Sequence, residues 1–291
     1  MFSLHSAGAR STFTHPCSLY TSFNMSDFFS NKRIWITGAS SGIGRALALA
    51  FAEHRSHLIL SARNEQELNK VASDCLEAGA VSVVVQPLDL AQHDAIPGIA
   101  QKVLKQVGKV DILINNGGIS QRALARDTTL DVDKRIMDIN YFGTVALTKA
   151  LLPHMLTHQL GHIVTITSLT GKFGSPLRSS YAASKHALHG FFDSLRAELG
   201  HTPLKVTLIC PGFVRTNVSL NALTGDGSRQ NKMDEATEKG ISPEYLAQKI
   251  LRAIEKGKEE LWVGGKEVLG VYIKRLFPAY FSRLIKKAKV T

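Results

Sequence analysis

The sequence predicts a three-layer α/β fold, a doubly wound parallel sheet of about seven strands with helices on both faces. Three observations predict it. Short β-branched runs alternate with helical segments from Lys32 onward, the pattern that right-handed βαβ crossovers impose. A glycine-rich turn, Gly38 to Gly44, joins the first run to the first helical segment. The chain length of 291 residues suits a single parallel-sheet domain of roughly 250 residues with extensions.

Taken in order, residues 1–30 read as an N-terminal extension. The first 24 residues contain one Arg, no acid and many Ser and Thr, and end just before Met25. A presequence, an upstream start and a disordered extension all fit that composition. The domain is expected over 31–265. Its strands are predicted at 33–37, 57–62, 81–87, 110–115, 162–167, 205–210 and 260–263, with helices that include 43–54, 65–78, 130–156 and 181–199. Pro153 is expected to bend or shorten the third of these helices. The segment 212–240 has no clean period and reads as a long substrate loop with about one helical turn. Residues 266–291 read as a basic amphipathic tail, divided into two helices at Pro278.

Composition excludes several classes. Hydrophobic residues make up 44% and charged residues 20% of the chain, an ordinary globular balance without the ~18-residue apolar run of a membrane-spanning helix. The net charge is +11, but the excess concentrates in the tail. Lys266, Lys274, Arg275, Arg283, Lys286, Lys287 and Lys289 lie there against Glu267 alone, which argues against a nucleic-acid groove on the domain. Cys17, Cys75 and Cys210 form no metal-ligand spacing, so no metal and a reducing, cytoplasmic setting are expected, with organellar import left open by the N-terminal segment.

The turn after the first strand reads Thr37-Gly38-Ala39-Ser40-Ser41-Gly42-Ile43-Gly44 and opens a helix. Unpaired helix N–H groups and the positive dipole end form an anion site suited to a pyrophosphate. Gly38 permits the turn, Gly42 and Gly44 allow close backbone approach, and Ser40 and Ser41 add donors. At the end of the second strand, where an NAD enzyme places an acid on the ribose hydroxyl, the chain has Ser61-Ala62-Arg63. Arg63 beside a missing acid favours NADP, with NAD as the alternative and a solvated surface arginine as the bland reading. A strand, glycine turn and helix of this kind imply a Rossmann fold.

The spacing within TGASSGIG resembles the fingerprint of the short-chain dehydrogenase/reductase family. That resemblance extends along the chain. It implies that Asp89 and Leu90 meet the adenine, and that Asn116 and Gly117 in Asn115-Asn116-Gly117-Gly118 support the cofactor. It also implies that Pro211, Gly212, Val214 and Thr216 form the turn beside the nicotinamide. Gly117 departs from the family's Ala, which removes a methyl but no polar group.

Tyr181 and Lys185 stand four residues apart on a predicted helix, one turn apart on one face. A phenol of pKa near 10 must be drawn about 3 units down to work at neutrality, and an ammonium ~4 Å away at an effective dielectric of ~20 supplies about the ~4 kcal/mol required. Ser168 follows the fifth strand at the carboxyl edge of the sheet, where its hydroxyl can hold a substrate oxygen. The family resemblance adds Asn140 as the fourth member of an Asn-Ser-Tyr-Lys tetrad and gives Lys185 a second role on the cofactor ribose. Tyr-xxx-Lys alone is weak, but these motifs occur in family order from Lys32 to about Val263.

The expected activity is therefore NADP(H)-dependent interconversion of a carbonyl and a secondary alcohol, with Tyr181 as acid and base. The alternatives are an NAD-linked alcohol dehydrogenase and a non-catalytic dinucleotide-binding regulator, which has no need of the tetrad. Phe173, Leu177, Phe213, Leu220, Leu223 and Met233 are candidates for an apolar substrate pocket. His186 and His189 read as helix-surface or core residues. The tail, 268–289, reads either as a helix packed on the domain or as a peripheral membrane contact. It resembles the dehydrogenase/reductase member 7-like branch of the family, and family resemblance also implies a homo-oligomer.

Overall fold

The computed structural model describes residues 28–288; the N-terminal extension up to residue 27, with its presequence reading, lies outside the described residues. Seven strands form one sheet: β1 (Arg33–Thr37), β2 (His57–Ser61), β3 (Ser82–Val85), β4 (Ile112–Asn115), β5 (His162–Ile166), β6 (Lys205–Pro211) and β7 (Glu260–Val263). Their spatial order is β3-β2-β1-β4-β5-β6-β7 and every pairing is parallel. The chain winds outward in one direction as far as β3, then crosses back to place β4 against the other side of β1. That reversal between β1 and β4 is a topological switch point, where open α/β sheets bind ligands at the carboxyl ends of their strands.

Alternation along β1 divides the core. Ile34 and Ile36 face one layer and pack with Leu47 and Phe51 of α1 (Gly42–Glu53) and with Leu246, Ile250 and Ile254 of α8 (Pro243–Glu255). Trp35 faces the other, with Leu147 and Leu151 of α5 (Gly143–Thr157) and Phe192 and Leu195 of α6 (Ser179–Glu198). All of these side chains are buried, each worth about 1.5–3 kcal/mol over leaving it in water. The remaining helices are α2 (Glu65–Glu77), α3 (Ile96–Val107), α4 (Leu130–Met137) and the four-residue α7 (Glu235–Glu238). Helix starts follow local chemistry: Asn64 caps α2 through Glu67 N at 3.2 Å, and Ser242 caps α8 through Tyr245 N at 3.1 Å with Pro243 next.

One predicted helix differs. The segment expected to be continuous over 130–156 breaks into α4 and α5 around a π-helical turn, Asp138–Phe142. Pro153, by contrast, sits inside α5, which continues to Thr157. The irregularity thus lies at Asn140, where the side chain is drawn into backbone hydrogen bonds, and not at the proline. Single π-turns of this kind concentrate at functional positions.

The tail forms two short helices, α9 (Leu269–Leu276) and α10 (Pro278–Ile285), with the proline at the start of the second. Val271 and Phe281 pack with Leu169, Phe173 and Cys210, so the pair is docked beside the carboxyl edge of the sheet. No helix among the described residues is long and apolar enough to cross a membrane.

Candidate active site

A cavity of about 840 Å³ runs along the carboxyl edge of the sheet, from the glycine turn after β1 to the tail helices. Of the residues singled out by sequence, Gly38, Ser40, Ser41, Gly42, Ile43, Arg63, Asp89, Leu90, Asn116, Gly117, Ser168, Tyr181, Lys185, Pro211, Gly212, Val214 and Thr216 line it. Gly44 and Asn140 do not line it and act from behind.

The glycine turn has little room for side chains. Gly38 adopts φ +65°, and a Cβ there would stand 2.9 Å from Asn116 Nδ2 and from the Gly117 backbone. A Cβ on Gly44 would meet the Gly38 carbonyl oxygen at 2.2 Å. Asn116 braces this turn by donating from Nδ2 to the carbonyls of Thr37, 3.0 Å, and Gly38, 3.2 Å. The Thr37 hydroxyl accepts from the backbone N–H groups of Asn116 and Gly117, both at 3.0 Å. At Gly117 a Cβ would lie 2.7 Å from Leu90 Cδ1, the end of a flexible side chain that would have to shift. With the α1 N-terminus opening into the cavity, the donor set and the close backbone approach fit a dinucleotide pyrophosphate. Arg63 is exposed at the end of β2, and the acids that line the cavity, Asp89 and Glu267, belong to other segments.

Tyr181 and Lys185 project from the first turns of α6 towards the end of β5. Lys185 is buried and donates to the Ile166 carbonyl at 2.9 Å. Burial lowers its ammonium pKa to about 8. Its Nζ lies 5.7 Å from the centroid of the Tyr181 ring. Backbone thus anchors the lysine beside the phenol ring. Burial instead raises the Tyr181 phenol above its ordinary value, opposed by the Arg122 guanidinium, a hydrogen bond with Ser168 and the Arg178 guanidinium.

Ser168 caps the short turn Leu169–Gly171. It accepts from Thr170 N at 3.1 Å and from the Thr170 hydroxyl at 2.9 Å, and donates to the Pro211 carbonyl at 3.4 Å. Asn140 is fully buried behind Lys185. Its Oδ1 accepts from Ile119 N at 2.8 Å and its Nδ2 donates to Ile119 O at 2.9 Å and to Ser184 Oγ at 3.0 Å. One side chain thereby ties the chain after β4 to α6, holding Gly118 beside Lys185.

A buried ionic cluster that no sequence motif marks lies in this wall. Arg122, after β4, and Arg178, just before α6, both line the cavity and converge on Asp234. Arg122 reaches Asp234 Oδ2 through Nε at 2.7 Å and Nη2 at 2.6 Å, and Arg178 reaches it at 3.5 Å. Gln230 donates to the other oxygen at 3.0 Å. Burial pulls the Asp234 carboxyl upward, but the Arg122 hydrogen bond and charge overrule it and hold the pKa below the ordinary value. Asp234 belongs to 212–240, so the cluster pins that loop to the domain and leaves positive charge facing Tyr181.

Among the apolar pocket candidates, Phe173, Phe213 and Leu223 line the cavity, whereas Leu177, Leu220 and Met233 do not. Leu177 lies at φ +64° in the turn before α6, and the Met233 sulfur accepts from Ser219 Oγ at 3.0 Å. Their places are taken by Ile139, Leu269, Ile273, Phe281, Leu284 and Ile285, most of them from the tail helices. His186 is exposed on α6 with Nδ1 2.8 Å from the Ala182 carbonyl. His189 is buried beside Cys210, with 3.6 Å between Nε2 and Sγ, and burial lowers its pKa to about 4.

Comparison with known proteins agrees with this architecture. A family model described as short chain dehydrogenase matches residues 32–225. A Drosophila melanogaster protein named dehydrogenase/reductase SDR family protein 7-like is 47% identical over 262 residues, covering 88% of this chain and 80% of its own. The Bos taurus protein named dehydrogenase/reductase SDR family member 7B is 45% identical over 267 residues, covering 90% of this chain and 82% of its own. The solved structure of a Thermococcus sibiricus alcohol dehydrogenase complexed with 5-hydroxy-NADP superposes with a TM-score of 0.70 at 26% identity, over 81% of this chain and 97% of its own. A Burkholderia phymatum short chain dehydrogenase/reductase in complex with NAD shares the fold, with a TM-score of 0.76 at 22% identity over 90% of this chain and 98% of its own. The chain is thus an oxidoreductase of the short-chain dehydrogenase/reductase family, and within it belongs to the dehydrogenase/reductase member 7 branch.

Proposed function

We propose that the protein is an NADP(H)-dependent oxidoreductase that interconverts a carbonyl and a secondary alcohol, working as a reductase on an apolar substrate with Tyr181 as its acid and base. The observation that carries this reading is the Tyr181 phenol, set beside Ser168 in the same cavity as the glycine turn. A reduced nicotinamide held between that turn and Pro211-Gly212 supplies hydride when bound. Tyr181 then donates its proton to the substrate oxygen, which Ser168 positions by hydrogen bonding. Burial favours the neutral phenol, the form that a proton donor needs, and so supports carbonyl reduction over alcohol oxidation. Lys185, still protonated at pH 7 with a pKa of about 8, has donors to spare for the ribose hydroxyls. Asn140 holds the Ile119 peptide and Ser184 in place around that lysine.

Arg63 at the end of β2, with no acid in the usual ribose position, supports NADP over NAD. An apolar substrate is supported by Phe173, Phe213, Leu223 and the tail side chains on the cavity wall. A homo-oligomer completes the proposal. Leu130 and Phe142, 64% and 48% exposed around the π-turn, offer an apolar contact, and mass measurement by light scattering tests it. The cofactor is tested by titrating purified protein with NADPH and NADH, then repeating both with Arg63→Ala. NADPH should bind preferentially and weaken about 10–100-fold in the variant, the worth of a charge-assisted contact. Equal or tighter NADH binding would favour the NAD-linked alternative.

A further inference from the structure

The tail helices present two different faces. On one, Val271 and Phe281 are buried against Leu169, Phe173 and Cys210. On the other, Leu269, Tyr272 and Leu276 are 59%, 53% and 66% exposed on α9, and Phe277, Tyr280 and Leu284 are 63%, 59% and 44% exposed at and along α10. Spacings of three and four residues make Leu269, Tyr272 and Leu276 one stripe and Tyr280 and Leu284 another, with Phe277 at the joint between the helices. Lys274, Arg275 and Arg283 are exposed on the same two helices and Lys286 and Lys287 just past the end of the second, and no acid occurs between Leu269 and Ala288. Few monomeric surfaces concentrate exposed apolar and basic side chains in this way without a partner.

We infer that this helix pair docks on an anionic bilayer surface, with the apolar stripes in the interface and the cations on the headgroups. Each helix has eight residues, about 12 Å of length, which suits lying in the interface plane and not crossing it. Charge selects the occupant. A second copy meeting this face about a two-fold axis would set the same five cations against their equivalents, whereas anionic lipid complements all of them. Leu269 and Leu284 also line the cavity, so docking places its mouth at the lipid boundary. Transfer of an apolar carbonyl from bilayer to cavity rests on the substrate reading above; the docking does not.

The test is co-sedimentation of the full chain with vesicles of phosphatidylcholine alone or mixed with phosphatidylserine, at low and high salt. Binding to the anionic vesicles, lost at high salt, is expected. Each cation near such a surface multiplies partitioning by about fivefold, so Lys286→Gln with Lys287→Gln should lower it about 25-fold. Leu276→Asp with Phe277→Asp, both exposed and off the cavity wall, should lower it at least tenfold with the circular dichroism melt unchanged. No binding to anionic vesicles, or binding that neither double variant weakens, would overturn the proposal. So would a dimer in sedimentation velocity that dissociates on Leu276→Asp with Phe277→Asp, because the stripe would then serve a second copy. Vesicle binding is read without substrate or cofactor, so a failure of the reductase reading leaves this readout untouched.

Discussion

Replacing Lys185 by Met should make the protein more stable and inactive at once. The lysine is 5% exposed, and its ammonium pKa is lowered from 10.5 to about 8 by burial. That difference corresponds to about 3 kcal/mol of penalty on the charged form at neutral pH. Methionine has a similar length and no charge, and it forfeits the 2.9 Å hydrogen bond from a charged donor to the Ile166 carbonyl, worth about 2 kcal/mol. A gain of about 1 kcal/mol remains, which in a domain of this size raises Tm by about 2–4 °C. The pH dependence supplies a second readout. A lysine whose folded pKa is lowered binds fewer protons in the native than in the unfolded state between pH 8 and 10.5, so wild-type stability gains from this group as pH rises across that window. Lys185→Met lacks the gain, and the two melting curves should converge towards pH 10. Calorimetry at pH 7 and pH 9.5, with turnover measured in parallel, checks both. A Tm at pH 7 equal to or below that of wild type would show that this ammonium is not held at a cost to stability.

Two further variants follow from named contacts. Asp234→Asn leaves the buried guanidiniums of Arg122 and Arg178 without their shared carboxylate. It should cost about 3–5 kcal/mol in denaturant unfolding at pH 7. Because the Asp234 pKa is held below the ordinary value, that contribution is present above about pH 4 and is lost as pH falls through the folded value. The variant and wild type should therefore draw together in acid. Gly44→Ala drives a methyl to 2.2 Å from the Gly38 carbonyl, where backbone has little freedom to move. Calorimetry should show a loss of about 1–3 kcal/mol, and nucleotide titration a weaker complex.

The sheet was legible because its signals are local. β1 and β7 match the expected bounds at both ends, and β3 stops at Val85, short of the expected 87, ahead of Pro87. The glycine turn, Ser168 and the Tyr181–Lys185 pair were legible for the same reason, since each is set by neighbours within a few residues. The Arg122–Asp234 pair joins positions 112 apart in segments without a period, and nothing local marks either residue as buried. The electrostatics of Tyr181 also escaped the sequence. Spacing on α6 places Lys185 one turn away, but the guanidiniums of Arg122 and Arg178, from outside that helix, also act on the phenol. The tail's amphipathic stripe was visible; that its buried side would close the cavity depends on Phe173 and Cys210, far off in the chain.

The role of Tyr181 as proton donor is open to single-turnover NADPH oxidation with an aryl ketone, comparing wild type with Tyr181→Phe after equilibrium NADPH titration of both. The variant's rate should be at least 10²-fold lower with NADPH affinity within about threefold, because the phenylalanine keeps the packing and removes only the transferable proton. A variant that binds NADPH normally and still reduces the ketone at the wild-type rate would contradict it.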